Sequence, residues 1–333
     1  MLNPGLRLSA LLRLEPLLPW RLADGLAARN DAALRLKYRD WLERTPPVPA
    51  QADAPAAEVH QLLGHRHVGM GLWSLKSLVA CADAGLGVVI HDDGTLSDAD
   101  MRLMRQQLPG VRIIQRSEAD ARVREQLADY PACQSFRFGE VRVTNHRGQS
   151  YNMFIMSLIL LDMNLLTDCN KIIILDADVL FFRRPDVIVE WARDAADHRA
   201  LFSVEAYKPK REAGGTLSFG PKAAHTLNSG LLCLTKSAFY DLDKIEQWVS
   251  ENPDLMYTSP VFEQLCYSWL IKRRADAVEL DPALYGFNFT TPGSVATHFG
   301  IKRGFYENLG RAAAVIGQAQ SDQAASVVTG ERP

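Results

Sequence analysis

Two aspartates one residue apart are the side chains of this sequence best placed to do chemistry. Asp176 and Asp178 stand at the end of the apolar run Ile172–Leu175, in the stretch KIIILDADVLFFRRPD. Carboxylate oxygens are hard ligands of the kind that Mg²⁺ and Mn²⁺ bind in proteins, and a cation held in this way can in turn hold a phosphate. The pair therefore predicts a divalent-metal site.

The context of the pair carries this prediction, because the same D-x-D spacing recurs at Asp98–Asp100 and at Asp241–Asp243. The first copy follows Ser97, and this pattern is typical of a helix N-cap with acids in the first turn. The second copy opens another polar helical segment. Only the pair at 176 and 178 closes a run that is apolar at every position, as expected of a strand buried on both faces of an α/β sheet. Open α/β sheets bind their ligands at the carboxyl ends of such strands.

A third ligand is available near the end of the folded part. His298 lies in TPGSVATHFG, and imidazole suits Mn²⁺ as a partner for two carboxylates. Lys302 and Arg303 follow within a turn, so basic charge is expected beside a metal-bound phosphate. A single histidine is more often a satisfied structural residue, and this alternative stays open from the residues alone.

Two further polar groups interrupt apolar segments. NSGLLCL begins with Asn228, Ser229 and Gly230, a triad that is either a simple turn or a wall that lets a sugar approach the backbone. Glu263 and Gln264 form a polar pair in PVFEQLCYSWL, where an exposed position on a helix is the simpler explanation.

The amino-acid composition excludes several classes of protein. The chain has 333 residues, 47% apolar and 23% charged, with a formal net charge of -2, so it can bury a large core and gives no electrostatic case for nucleic acid. Its five cysteines are scattered and form no CxxC, which favours reduced thiols over disulfides or a zinc site. No run is long enough to span a membrane, and charges interrupt the N-terminal leucines. We expect a cytoplasmic protein, at most peripheral to the inner membrane.

Strand-like and helix-like runs alternate after residue 58, which predicts an α/β fold with a mixed, mostly parallel central sheet flanked by helices. Phe136–Val143 alternates apolar and polar residues and predicts an edge strand. Residues 1–44 are expected to be a helical N-terminal extension that packs on the main domain or a partner chain, with an anionic lipid surface as the alternative. The Pro/Ala-rich stretch 45–57 is expected to be a linker, 58–310 the main domain and 317–333 a disordered tail.

These motifs, in this order, resemble metal-dependent GT-A glycosyltransferases. The similarity is to the retaining branch that contains glycogenin and the lipopolysaccharide galactosyltransferases, and to an uncharacterised bacterial set that shares HDDG, LFF-x-R-P and HFG…FYE patterns. It covers roughly 58–310. The resemblance implies a GT-A, Rossmann-like fold and a nucleotide-diphosphate sugar donor. It implies the following roles: Asp176, Asp178 and His298 bind Mn²⁺ or Mg²⁺; Asn228, Ser229, Gly230 and Gln264 face the sugar; Lys302 faces the diphosphate, and Asp176 the donor.

The sequence also departs from that family. The family's first strand delivers an acid or amide to the nucleotide base, and Leu62–His65 offers no equivalent. The C-terminal K-P-W is absent, and Glu263 replaces the aspartate of the family's D-Q pair. We expect a glycosyltransferase using a UDP-sugar, with retention and Gln264 beneath the anomeric carbon, or with inversion and Glu263 as general base. The acceptor is open among glycan, lipid, protein and small molecule.

Two other classes remain as alternatives. One is a non-catalytic relative that serves as a scaffold through its N-terminal helices. The other is a phosphatase of the haloacid dehalogenase type, whose strand also ends in D-x-D. That class is disfavoured because its motif needs Thr or Val where Leu180 stands. In addition, phosphatases of this type carry the D-x-D strand near the start of the domain.

Overall fold

The computed structural model describes residues 33–34, 37–51, 53–139, 142–144, 150–152, 154–211, 217–259, 261–272, 274–300 and 302–329. Its strands are β1 Ala57–Leu63, β2 Leu86–Asp92, β3 Arg112–Ile114, β4 Arg142–Thr144, β5 Ser150–Asn152, β6 Lys171–Leu175, β7 Val179–Phe181, β8 Ala200–Arg211, β9 Leu217–Thr235, β10 Ala277–Glu279, β11 Tyr285–Phe287 and β12 Ala296–His298. Its helices are α1 Val68–Ala82, α2 Asp98–Gln107, α3 Arg116–Gln126, α4 Pro131–Phe138, α5 Phe154–Ser157, α6 Met163–Leu165, α7 Asp186–Arg193, α8 Lys236–Phe239, α9 Leu242–Glu251, α10 Pro253–Thr258, α11 Phe262–Ile271 and α12 Lys302–Thr329. A 3₁₀ turn at His65–His67 precedes α1, and a π-helical stretch at Leu158–Asp162 joins α5 to α6.

The main sheet has the strand order β10-β8-β9-β6-β1-β2-β3 in the described part of the chain. Strands β6, β1, β2 and β3 are parallel to one another, as are β10 and β8, whereas β9 is antiparallel to both of its neighbours. The carboxyl ends of β6, β1 and β2 therefore lie side by side at one edge. The predicted class, a mixed and mostly parallel α/β sheet flanked by helices, is confirmed.

Side chains alternate across this sheet and pack into a hydrophobic cluster on each face. Ile173 and Leu175 of β6 join the cluster beneath α1, α7 and α12, whereas Ile172 and Ile174 join the cluster beneath α4, α9 and α11. The run Ile172–Leu175 is apolar throughout because both of its faces are covered.

The segment before β1 is part of this core, so the predicted linker at 45–57 is wrong. Leu42, in a helical stretch at 37–43, is fully buried in the cluster around α1. Val48 is also buried there, and its N–H donates to the carbonyl of Gln107 at 3.0 Å. Proline-rich composition predicted a linker, but the segment is extended, with buried apolar side chains and with backbone N–H groups that donate to carbonyls of the domain. Of the helical extension predicted at 1–44, residues 1–32 and 35–36 lie outside the described residues.

Two other predictions made from the sequence are corrected. Residues 317–329, expected to be disordered, continue helix α12, and only 330–333 lie outside the described residues. The stretch is rich in alanine and free of proline, which favours a helix. The edge strand predicted at Phe136–Val143 is a helix as far as Phe138, because Pro131 starts α4 and Phe136 is buried with Cys133 at helical spacing.

We expect Leu42→Ala to destabilise the protein by about 2–5 kcal/mol, the range for removing a fully buried leucine side chain. Glu43→Ala, at an exposed neighbouring position, should change the free energy of unfolding by less than about 0.5 kcal/mol. Urea unfolding of both variants measures the difference. Equal, small effects would mean that the segment before β1 contributes no stability.

Within the described residues, no helix is long and apolar enough to cross a membrane.

Candidate metal and substrate site

The turn between β6 and β7 carries both aspartates, and its backbone is held from three sides. The Asp176 N–H donates to the carbonyl of Gly230 at 2.8 Å. The Asp176 carbonyl accepts hydrogen bonds from Gln61 Nε2 at 3.2 Å and Ser74 Oγ at 3.1 Å. Strand β1, helix α1 and strand β9 thus fix the position of this turn at the carboxyl edge of the sheet.

His298 reaches the same point through a second, small sheet. Strand β12 pairs antiparallel with β7, which places His298 opposite Val179, and the Phe299 N–H donates to the Asp178 carbonyl at 2.9 Å. His298 Nε2 lies 3.2 Å from Asp178 Oδ1 and 3.5 Å from Asp176 Oδ2. One ligand atom from each of these three side chains lies within 4.8 Å of the others. The structure therefore brings together the three residues predicted to bind a metal.

Asn228 determines which nitrogen of His298 faces the aspartates. Asn228 Oδ1 accepts a hydrogen bond from the backbone N–H of Gly230 at 3.0 Å, which identifies this atom as the amide oxygen. His298 Nδ1 lies 2.7 Å from the same oxygen and must therefore be the donor. In the neutral ring, Nε2 then carries the lone pair, directed at two carboxylates. A second residue that fixes the tautomer in this way is a regular feature of metal-binding histidines.

Gly230 makes room for this arrangement. A Cβ atom built on Gly230 would overlap the Nδ1 and Cε1 atoms of His298. The His298 and Phe287 rings form a T-shaped pair, at 5.1 Å between ring centroids. The N-S-G triad thus supports the histidine: Gly230 is covered by the His298 ring, and Asn228 Oδ1 is engaged by it.

The charges of the site compensate one another. The Lys302 ammonium, at the start of α12, contacts Asp178 Oδ2. Burial alone would raise the pKa of Asp178, but His298 and Lys302 outweigh it and hold this pKa well below its usual range. Burial raises the pKa of Asp176, and the charge of Asp178 adds to the effect. Burial would lower the pKa of His298, but the two carboxylates overcome it and raise that pKa.

Two carboxylates and a ring lone pair that converge repel one another unless a cation lies between them. A proton on His298 can play this part, and so can a divalent metal ion. The donor set of two carboxylate oxygens and one imidazole nitrogen fits Mn²⁺. Mg²⁺, a harder cation that prefers oxygen ligands, is the alternative. The set also leaves coordination positions for further oxygen ligands.

The Glu263–Gln264 pair at the start of α11 lies against Ser229. The backbone N–H of Ser229 donates to Gln264 Oε1 at 3.1 Å, so the amide nitrogen of Gln264 is its other terminal atom. The Ser229 hydroxyl lies 3.1 Å from Glu263 Oε1. Glu263 is 4% exposed, and its second oxygen has no partner among the described residues. Burial, aided by the charge of Asp176, raises the pKa of Glu263 to about 7.

We expect this burial to make stability depend on pH. Below pH 4.5 Glu263 is protonated in both the folded and the unfolded state; between 4.5 and 7 the folded state holds the proton more tightly, so stability falls as pH rises through this window. Glu263→Gln removes the ionisation. Its stability relative to the wild type should increase by up to about 3 kcal/mol between pH 4.5 and 8. Urea unfolding at both pH values tests this, with the exposed Glu251→Gln as control. A constant gap between wild type and Glu263→Gln would contradict it.

Sequence reasoning missed Gln61 and Ser74, whose side chains donate to the Asp176 carbonyl and so fix the turn that carries the two aspartates. Gln61 is one of three buried polar residues in β1, with Glu58 and His60, and a polar residue in a predicted strand was the available signal. Ser74 of α1 gave none. The HDDG motif at 91–94 turns the chain at the end of β2. Asp92 caps it by accepting from the Gly94 and Leu96 N–H groups at 2.8 and 3.1 Å.

Comparisons with known proteins give structural neighbours. No family model and no curated protein matches the sequence. The fold is similar to the apo form of mouse xyloside xylosyltransferase 1 (12% identity, 77% of this chain and 99% of that one, TM-score 0.49). It is similar to the galactosyltransferase LgtC in complex with donor and acceptor sugar analogs (15%, 78% and 95%, 0.48). It is also similar to the glycosyltransferase GlyE of Streptococcus pneumoniae (10%, 80% and 63%, 0.47).

Proposed function

We propose that this protein is a metal-dependent glycosyltransferase that moves a sugar from a nucleotide-diphosphate sugar, a UDP-sugar, to an acceptor. One observation carries the proposal: Asn228 holds the His298 ring so that its Nε2 faces Asp176 and Asp178 at the carboxyl edge of the sheet. This is a site prepared for a divalent cation at the place where open α/β sheets bind ligands. The neighbouring Lys302 adds positive charge, as an anionic substrate requires.

The proposed chemistry is stabilisation of a leaving group. A bound Mn²⁺ or Mg²⁺ would neutralise charge on the departing nucleoside diphosphate. Lys302 is suited to share this task, because its side chain is 41% exposed and its ammonium already lies at the metal-site carboxylate Asp178. Fixed positive groups aimed at developing charge are a major source of catalysis.

Gln264 would act as a hydrogen-bond donor. Its oxygen is engaged by the Ser229 N–H, and its Nε2 has no partner among the described residues, so this nitrogen is the atom available to a substrate. This refines the sequence-based expectation of Gln264 beneath the anomeric carbon. We propose that the amide positions a sugar hydroxyl or the leaving oxygen rather than offering an oxygen to the anomeric carbon.

We propose that the transfer retains the configuration of the anomeric carbon. An inverting enzyme needs a base that can reach the acceptor hydroxyl. Glu263 is the nearest candidate and its pKa is suitable, but the side chain is buried behind Ser229. Because Glu263 is buried in this way, we propose that the acceptor attacks on the face of the leaving diphosphate.

Isothermal titration calorimetry tests the proposal. EDTA-treated protein should bind UDP weakly alone and at least about tenfold more tightly with Mn²⁺, because the cation links the carboxylates to the diphosphate. UMP, which lacks the second phosphate, is the matched ligand control. UDP affinity that is the same with and without Mn²⁺ would contradict the proposal.

A further inference from the structure

The helical stretch at 37–43, which precedes β1, is packed against α1. Trp73 of α1 donates its indole N–H to the carbonyl of Tyr38 at 3.3 Å. The Trp73 ring also forms a T-shaped pair with the Trp41 ring, at 5.2 Å between ring centroids. Leu42 is fully buried in the hydrophobic cluster around α1. The stretch is therefore held in one position on the domain.

The Tyr38 ring also reaches a second helix, α12, close to its start. It stacks on the Tyr306 ring with 5.1 Å between centroids and 12° between ring planes. Tyr306 is 6% exposed and follows Lys302 by four residues, so the two side chains lie on the same face of α12, one turn apart. Lys302 in turn contacts Asp178 of the proposed metal site. One aromatic pair thus joins the stretch before β1 to the end of α12 that carries the lysine.

The same end of α12 is packed against the residue that follows His298. The Tyr306 ring forms a T-shaped pair with the Phe305 ring at 5.6 Å, and Phe305 forms another with Phe299 at 6.1 Å. Gly304 lets the helix approach closely, because a Cβ atom built on it would lie 2.9 Å from a ring carbon of Phe299. A row of aromatic rings therefore extends from the stretch before β1 to the strand that carries the histidine.

Lys302 is a group that gains from being held in place. A lysine side chain is long and flexible, and it loses conformational entropy when its ammonium is fixed on an anion. A shift of the first turn of α12 would also carry the ammonium away from the metal site. Fixing that turn through Tyr306 limits the shift and reduces the cost of binding, so the charge contributes more to the affinity for an anionic ligand.

We propose that Tyr38 is a positioning residue of the donor site: through its stack on Tyr306 it holds Lys302 where the diphosphate binds. The inference rests on the proposed function, because Tyr38 has this role only if an anionic ligand binds beside Lys302. The stretch before β1 is then a working part of the site, although it lies outside the sheet and contributes no side chain that touches the ligand.

Calorimetric titration of UDP in the presence of Mn²⁺ tests this role. Tyr38→Ala should weaken UDP binding roughly two- to tenfold, the factor that corresponds to the loss of one aromatic pair. Tyr38→Phe keeps the stack and should bind UDP as the wild type does. Mn²⁺ binding without nucleotide should not be weakened in Tyr38→Ala, because the three proposed ligands are intact. Val48→Ala is the matched control: it truncates a buried side chain of the same segment, where the backbone is bonded to Gln107 of α2, and it should leave UDP affinity unchanged.

A double-mutant cycle separates the positioning of Lys302 from a general loosening of the fold. Lys302→Met should itself weaken UDP binding, and adding Tyr38→Ala should then cause little further loss, because the group that Tyr38 positions is gone. Thermal melts verify folding; if Tyr38→Ala does not fold, Tyr38→Leu, which loses the stack but keeps an apolar side chain, takes its place.

Four results would overturn the inference and leave the metal site standing: additive losses in the double variant, UDP binding by the Tyr38 variant that equals the wild type, or an equal loss of UDP binding in Tyr38→Phe or in Val48→Ala. Failure of the wild type to bind UDP with Mn²⁺ would instead remove the proposed function, and this inference with it.

Discussion

Replacing Asp178 by alanine is expected to abolish metal-dependent binding of a nucleoside diphosphate while the protein stays folded. Asp178 is one of three proposed metal ligands and is the carboxylate paired with both His298 and Lys302. Loss of a residue that only supports a ligand costs roughly ten- to a hundredfold in metal affinity, so loss of the ligand itself should cost at least as much. Calorimetric titration of Mn²⁺ and UDP into the variant measures this loss.

Asp98→Ala is the matched control within the same chain. Asp98 belongs to another D-x-D, but it lies in the first turn of α2, where Ser97 and Asp100 form a capping box. Its replacement should leave Mn²⁺ and UDP affinity unchanged. Unaltered affinities in Asp178→Ala as well would remove the metal site from the account.

His298→Ala is expected to weaken Mn²⁺ binding to a similar extent and to change its pH dependence. The two carboxylates raise the pKa of the His298 ring against the opposing effect of burial, and a metal must displace that proton. In the wild type, Mn²⁺ affinity should therefore rise with pH from roughly 6.5, the usual histidine pKa, upwards. His298→Ala should lose this rise, as measured by Mn²⁺ titrations between pH 6 and 8.5.

The exposed His198 provides the control, because it lies in the loop between α7 and β8 and outside the candidate site. His198→Ala should keep both the affinity and its pH dependence. If His298→Ala unfolds without metal but shows normal Mn²⁺ affinity after refolding, His298 is a structural residue and only the aspartates remain as candidate ligands.

The sequence was informative wherever a local pattern determined a local structure. An unbroken apolar run predicted the buried β6 and placed Asp176 and Asp178 at its carboxyl end. Ser97 before Asp98 and Asp100 predicted a helix N-cap, and the capping box confirms it. In both cases the deciding interactions lie within a few residues of one another.

The sequence was less informative wherever partners lie far apart along the chain. Asn228 and His298 are 70 residues apart, and only the pairing of β12 with β7 brings the ring to Asn228. Gly64 gives no sign that its missing side chain makes room for Asp93, since the two meet only when β1 and β2 are neighbours. The prediction of a linker at 45–57 failed for a related reason. The composition of this stretch is that of a spacer, and its burial depends on residues of other elements, such as Gln107.

Hydrolysis of nucleotide sugars tests the central claim most directly, because slow hydrolysis requires no acceptor. EDTA-treated wild type and Asp178→Ala would be incubated with a panel of UDP-, GDP-, CDP- and ADP-sugars, with and without Mn²⁺, and the released nucleoside diphosphate measured. We predict that the wild type releases UDP from at least one UDP-sugar only when Mn²⁺ is present, and that Asp178→Ala releases none. Release that is unaffected by chelation, or no release from any nucleotide sugar in the presence of Mn²⁺, would contradict a metal-dependent glycosyltransferase.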